Sequence, residues 1–152
     1  MVEAVSEDLR IEVVHDVSEN ELPLRVLLEQ LDRRHHLRDS SFLRSAHHVG
    51  ARMLAVVAVR RGKLVGWLAG NPSTGHIALV GVLETRQGVG SALVGDFAVR
   101  ARRAGAPELT VTVDTEPAGR WDRRRFFISH GFSPVNHSAL HFARPVDNTP
   151  FR

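Results

Sequence analysis

The chain contains no cysteine and no tyrosine, and its 20 basic side chains include a single lysine, Lys63. Without cysteine there is no disulfide, no thiolate metal ligand and no thiol nucleophile to carry a covalent intermediate. Without tyrosine there is no phenol to donate a proton. No apolar run reaches the ~18 residues that a membrane-spanning helix requires. The first residues, MVEAVSEDLR, are acidic and polar rather than basic and then apolar, unlike a signal peptide. A cytoplasmic location is therefore expected. Internal repeats and low-complexity stretches are also missing.

The shortage of lysine and tyrosine explains an otherwise misleading isoelectric point of 10.8. Almost nothing titrates between neutrality and the arginine range of about 12.5 or above, so a small excess of charge carries the value high. The net charge is only +3, too little for the broad basic surface of a nucleic-acid binder. Nine histidines raise the question of a metal. His35-His36 and His47-His48 are adjacent, and helical neighbours do not face each other. His137 and His141 share a face of an expected strand but stand too far apart. No metal site is expected.

At 152 residues and 43% hydrophobic content, the chain reads as one domain over 1–152 with a sizeable core. Residues 1–9 and 144–152 are expected to fray. Arg10 to Val14 reads as a strand. Asn20 can cap a helix that has Pro23 in its first turn and Leu24, Leu27, Leu28 and Leu31 on one face. Asp32 to Asp39 is charged and reads as a solvated helix end or loop; Ser40 or Ser41 caps a short second helix to about His48. Met53–Val59 and Leu64–Ala69 are apolar strands joined by the turn Arg60-Arg61-Gly62-Lys63. Asn71 to Gly75 turns the chain into Ile77–Leu83, an almost unbroken apolar run typical of a strand buried on both faces.

The stretch Ile77 to Asp114 organises the rest. After the strand, Thr85-Arg86-Gln87-Gly88-Val89-Gly90-Ser91 brings two glycines one residue apart, followed by a helix with Arg100, Arg102 and Arg103 in its last turn. Gly105 and Pro107 end it, and Leu109–Val113 alternates as another strand. Glycines at a helix start let a ligand approach the backbone, and the N–H groups there suit an anion. The loop has no lysine, so it is not a P-loop, and Leu93 replaces the third glycine of a dinucleotide fingerprint. Beyond Thr115–Gly119, Trp121–His130 reads as a helix with Gly131 at C′. Phe132–Val135 and Ser138–Ala143 read as closing strands. Arg120 to Arg125 is the densest basic patch.

The order of strand, Gly88-x-Gly90 loop, helix, strand, helix and Phe126-Phe127-Ile128-Ser129-His130-Gly131-Phe132 resembles the GNAT acyltransferase superfamily from about Ile11 to Ala143. That family's pyrophosphate loop reads Q/R-x-x-G-x-G/A, and its later helix ends in F-Y-x-x-x-G-F. The resemblance implies an α/β (α+β) fold whose mixed, mostly antiparallel central sheet is splayed in the middle and flanked by about four helices. It implies acetyl-CoA as co-substrate, with the backbone of Val80, Gly81 and Val82 pairing with pantetheine. The N–H groups of Arg86, Gln87, Gly88, Val89, Gly90 and Ser91 would hold the pyrophosphate, and Ser91 would add its hydroxyl. The first pair of helices would form part of the acceptor site, and homodimers are common among related folds.

Two departures matter. Thr85 stands where the family carries Gln or Arg, with Arg86 one place later. Phe127 stands at the position of the family's frequent acid, a tyrosine, so the thiolate must be protonated by water, by a residue such as Ser129, or by no dedicated acid. Glu84 and Asp114, at the ends of two strands, are the candidate bases for deprotonating an amine, with His76 a third. The function implied is direct acetyl transfer from acetyl-CoA to a primary amine of a small molecule. The alternatives are another acyl-CoA or acceptor, or a degenerate domain that binds coenzyme A or a protein without turnover.

Overall fold

The computed structural model describes residues 8–15, 21–50, 52–84 and 88–146. Its strands are β1 (Leu9–Val13), β2 (Leu54–Arg60), β3 (Lys63–Asn71), β4 (His76–Val82), β5 (Glu108–Thr112), β6 (Ser133–Pro134) and β7 (His141–Pro145). Its helices are α1 (Glu21–His35), α2 (Phe42–Ser45), α3 (Val89–Arg103) and α4 (Arg120–Ser129). Among the described residues the strands make one sheet in the order β1-β2-β3-β4-β5-β7-β6. Every neighbouring pair is antiparallel except β4–β5. This is the mixed, mostly antiparallel α/β fold that the sequence implied.

The side-chain period of a strand divides the core between two faces. Leu24, Leu27, Leu28 and Leu31 of α1 pack with Phe42, Val57 and Trp67 on one face. Leu93 and Phe97 of α3 pack with Val56, Leu68 and Ile77 on the other, together with Phe127 and Phe142. Val56 and Val57 thus belong to opposite clusters, which explains why β2 is apolar at consecutive positions. Each fully buried leucine contributes roughly 1.5–3 kcal/mol.

The β2–β3 connection is a two-residue turn in which Arg61 and Gly62 both have positive φ, 51° and 78°, matching the twist of a hairpin. The segment 32–39 departs from its solvated reading at its first residue. The Asp32 carboxylate accepts hydrogen bonds from the Phe42 and Leu43 N–H groups, at 2.6 and 3.1 Å, and from the Ser41 hydroxyl at 3.0 Å. An acid at the end of α1 thereby supports the start of α2, whose N-cap is Ser41. The expected cap of α1, Asn20, lies outside the described residues.

The C-terminal expectations are corrected. Arg144 and Pro145 are not a frayed tail: they pair with Leu109 and Glu108 in β7, and Arg144 is only 8% exposed. The closing strand begins at His141 rather than Ser138. Pro134 lacks an N–H, Asn136 and His137 take left-handed conformations, and the Ser138 Oγ accepts from the Leu140 and His141 N–H groups. These features cut the strand short. At the other end, Leu9 already belongs to β1.

The sheet's one parallel junction is short. β4 and β5 pair only at His76–Thr110 and Ile77–Val111. Beyond Ile77, β4 continues to Val82 bonded to β3 alone, and the side facing β5 is an open strand edge.

Candidate active site

The divergence of β4 from β5 opens a cavity of about 110 Å³. Val80, Gly81 and Val82 form one wall, Val113 and Asp114 another, and Phe126 and Phe127 of α4 a third. His35 and Phe42 close it from the α1–α2 side. Gly81 is required here by contact, since a Cβ would stand 2.6 Å from the Phe42 ring. The lining is mainly apolar, and the unpaired main chain of β4 is its principal polar resource. An extended ligand can add to such an edge as a short strand.

Gly88 begins α3 in the left-handed conformation, φ 78°, and no side chain caps the helix there. Among the described residues no side chain accepts from the first N–H groups of α3, the arrangement that favours an anion. Space is open around Gly88. Gly90 differs, because a Cβ there would lie 2.6 Å from the Phe126 ring. One glycine of the pair therefore serves backbone conformation and the other the packing of α4 on α3. Arg86 and Gln87, with Thr85, lie outside the described residues.

The Ser91 hydroxyl is engaged within the protein. His130 Nδ1 lies 2.8 Å from the Phe126 carbonyl oxygen, which can only accept, so this nitrogen carries the proton. The bare Nε2 then accepts from the Ser91 hydroxyl at 2.7 Å. Ser129 is exposed and donates to the Phe126 carbonyl at 2.7 Å, away from the cavity.

The two candidate carboxylates have different surroundings. Glu84 is half-exposed, does not line the cavity, and pairs with Arg60 at 3.0 Å. Asp114 lines the cavity and is 8% exposed. Its Oδ1 accepts from the Arg38 and Glu116 N–H groups, both at 2.9 Å. Its Oδ2 accepts from the Asp39 N–H at 2.8 Å and the Ser40 hydroxyl at 3.2 Å. Burial alone would raise its pKa, but these donors outweigh it and hold the carboxyl below the usual range. An acid so fully hydrogen-bonded is a weak base. His76 sits at the closed end of the sheet, where its Nδ1 meets the Thr110 hydroxyl at 2.8 Å.

Two cavity residues, His35 and Arg123, were not among the expected site residues. His35 stacks near Phe42, with ring centroids 5.4 Å apart, and its buried Nε2 has no hydrogen-bond partner. Burial, with the charges of Arg34 and Arg123, pushes its pKa down to about 4, so the imidazole is neutral at pH 7. Arg123 comes from the basic patch at the start of α4. It lies four residues before Phe127, the helical spacing that puts two side chains on one face, and this spacing was the available signal. Among the described residues no three metal-ligating side chains gather, and no helix is long and apolar enough to cross a membrane.

A family model described as the acetyltransferase (GNAT) family matches residues 15–132. The chain belongs to this family. Solved structures similar to this GNAT chain include the PaiA N-acetyltransferase of Thermoplasma acidophilum in complex with coenzyme A. It is 12% identical with a TM-score of 0.67, over 90% of this chain and 99% of that one. Ard1 of Thermoplasma volcanium is 18% identical with a TM-score of 0.70, over 93% and 99%. The aminoglycoside 6'-N-acetyltransferase of Enterococcus faecium is 18% identical with a TM-score of 0.69, over 93% and 99%. At these identities the likeness concerns the fold. Comparison with curated proteins finds no match.

Proposed function

We propose that this GNAT acetyltransferase moves an acetyl group from acetyl-CoA directly to a primary amine of a small molecule, acting as one domain in the cytoplasm. The observation that carries this reading is the open edge of β4 beside the uncapped start of α3. The edge offers main-chain hydrogen bonds to pantetheine at Val80 to Val82, and the helix start offers N–H groups to the pyrophosphate. Its support from outside the chain is the neighbour solved with coenzyme A.

Catalysis in this reading is mostly positioning, with amides polarising the thioester carbonyl. The absence of cysteine agrees with direct attack by the amine. Of the two carboxylates, Glu84 takes the role of base, reached through water, because its oxygens are the less engaged. Asp114 fixes the rim of the cavity by tying Arg38, Asp39 and Ser40 to the end of β5.

Calorimetric titration with acetyl-CoA tests the reading, using the wild type and Gly88→Glu. Gly88 is the better of the two glycines to change because no neighbour is displaced. Micromolar binding lost in a variant that still melts cooperatively supports it. A wild type that binds without acetylating any amine in a broad panel supports a binding domain instead, a reading favoured by the weak basicity of Asp114 and by Phe127.

A further inference from the structure

Arg123 is a fixed cation at the wall of an apolar cavity. Its Nη1 donates to the Ala118 carbonyl at 3.0 Å, and its Nη2 to the carbonyls of Asp114, at 3.1 Å, and Glu116. Three main-chain oxygens thus hold the guanidinium in place without neutralising it. Among the described residues no carboxylate forms an ion pair with it. Its Nε is buried and has no hydrogen-bond partner. A buried N–H without an acceptor is costly, and arginine cannot escape by losing its proton. The residue therefore keeps a full charge where the lining is otherwise mostly apolar.

We propose that Arg123 stabilises the departing thiolate of coenzyme A through its charge. The inference rests on the acetyl-transfer reading above. In that reaction the amine nitrogen attacks the thioester carbon and forms the C–N bond. The C–S bond then breaks, and its electron pair moves to sulfur. The proton lost by the amine passes to water or to Glu84. The thiolate, paired with Arg123, takes its proton from solvent as coenzyme A leaves. Of the four arginines on α4 only Arg123 lines the cavity, Phe127 has no proton to give, and the Ser129 hydroxyl is committed to the Phe126 carbonyl outside the cavity. A cation within a few ångströms in a low-dielectric site favours a thiolate strongly.

The test needs no acceptor. Affinity for coenzyme A is measured by calorimetry from pH 6.5 to 9.5, beside the analogue in which hydrogen replaces the thiol. A thiol whose pKa falls by one unit on binding, from a free value near 8.5, tightens coenzyme A about tenfold across this range relative to the analogue. Arg123→Gln is expected to abolish that difference, so that coenzyme A and the analogue then follow the same pH dependence whatever their absolute affinity. Arg123→Lys keeps the charge but loses the planar fork that grips the carbonyls. A thiolate role predicts that it retains the pH dependence; a purely structural role predicts that it fails like the glutamine variant. Equal pH dependence for coenzyme A and the analogue in the wild type would overturn this inference alone. Failure of both to bind would overturn the acetyl-transfer reading and the inference with it.

Discussion

The Ser91 hydroxyl and the His130 imidazole meet at 2.7 Å, joining the first turn of α3 to the residue that caps the end of α4. The two helices that frame the candidate site are thereby fixed relative to each other by a part-buried hydrogen bond as well as by Phe126 against Gly90. Ser91→Ala is expected to lower stability by about 1 kcal/mol, read as a denaturation midpoint. Because the hydroxyl proton is already directed at His130, coenzyme A affinity should change less than twofold.

The two loop glycines should respond in different ways. Gly90→Ala places a methyl 2.6 Å from the Phe126 ring, so a loss of roughly 1–3 kcal/mol is expected from overpacking. Gly88→Ala meets no neighbour and costs only the left-handed backbone, about 1–2 kcal/mol. Thermal melts of both, with coenzyme A titrations, check the ordering: the Gly90 variant should be the one whose α3–α4 packing is disturbed.

Asp114→Asn keeps the shape but replaces one acceptor oxygen with an NH₂ group facing N–H donors. Two acceptor bonds are lost and the charge with them, so a loss of roughly 2–3 kcal/mol is expected. The wild-type carboxyl has a folded pKa below its ordinary value. Its contribution is therefore complete at neutral pH and disappears as pH falls through that lowered pKa. Urea midpoints for the two proteins should converge only at strongly acidic pH.

His35 acts in a milder range. Its folded pKa is about 4 against an ordinary 6.5. As pH drops below 6.5 the unfolded chain takes up a proton that the folded chain does not accept until about pH 4, so stability is lost across this window. His76, lowered by burial and by the charge of His141, adds in the same direction. Urea midpoints at pH 7 and pH 5 should differ less in His35→Phe than in the wild type.

The sequence carries the sheet's antiparallel half plainly, because β2, β3 and β4 are continuous apolar runs separated by Gly62 and Gly75, whose positive φ values make the turns. The helices follow from the leucine stripe of α1 and from Gly88 and Gly105 at either end of α3. The site is legible only where main chain supplies it. Which of four arginines on α4 turns inward depends on three carbonyls between Asp114 and Ala118, and no local pattern encodes that. Asp32 and Asp114 look alike as strand-end or helix-end acids; their partners lie up to 76 residues away, so their roles emerge only from the tertiary fold.

The two-rung junction at His76–Thr110 and Ile77–Val111 makes the sheet two blades joined at one apex. Strands β1 to β4 form one blade and β5 to β7 the other, and the cavity is the wedge between them. A small change of angle at the apex becomes a larger change of width at the mouth. Thr110→Val, which removes the His76 partner at the closed end of the sheet, can therefore tune the width of the cavity. The width of the cavity is then a property of the joint as much as of the walls.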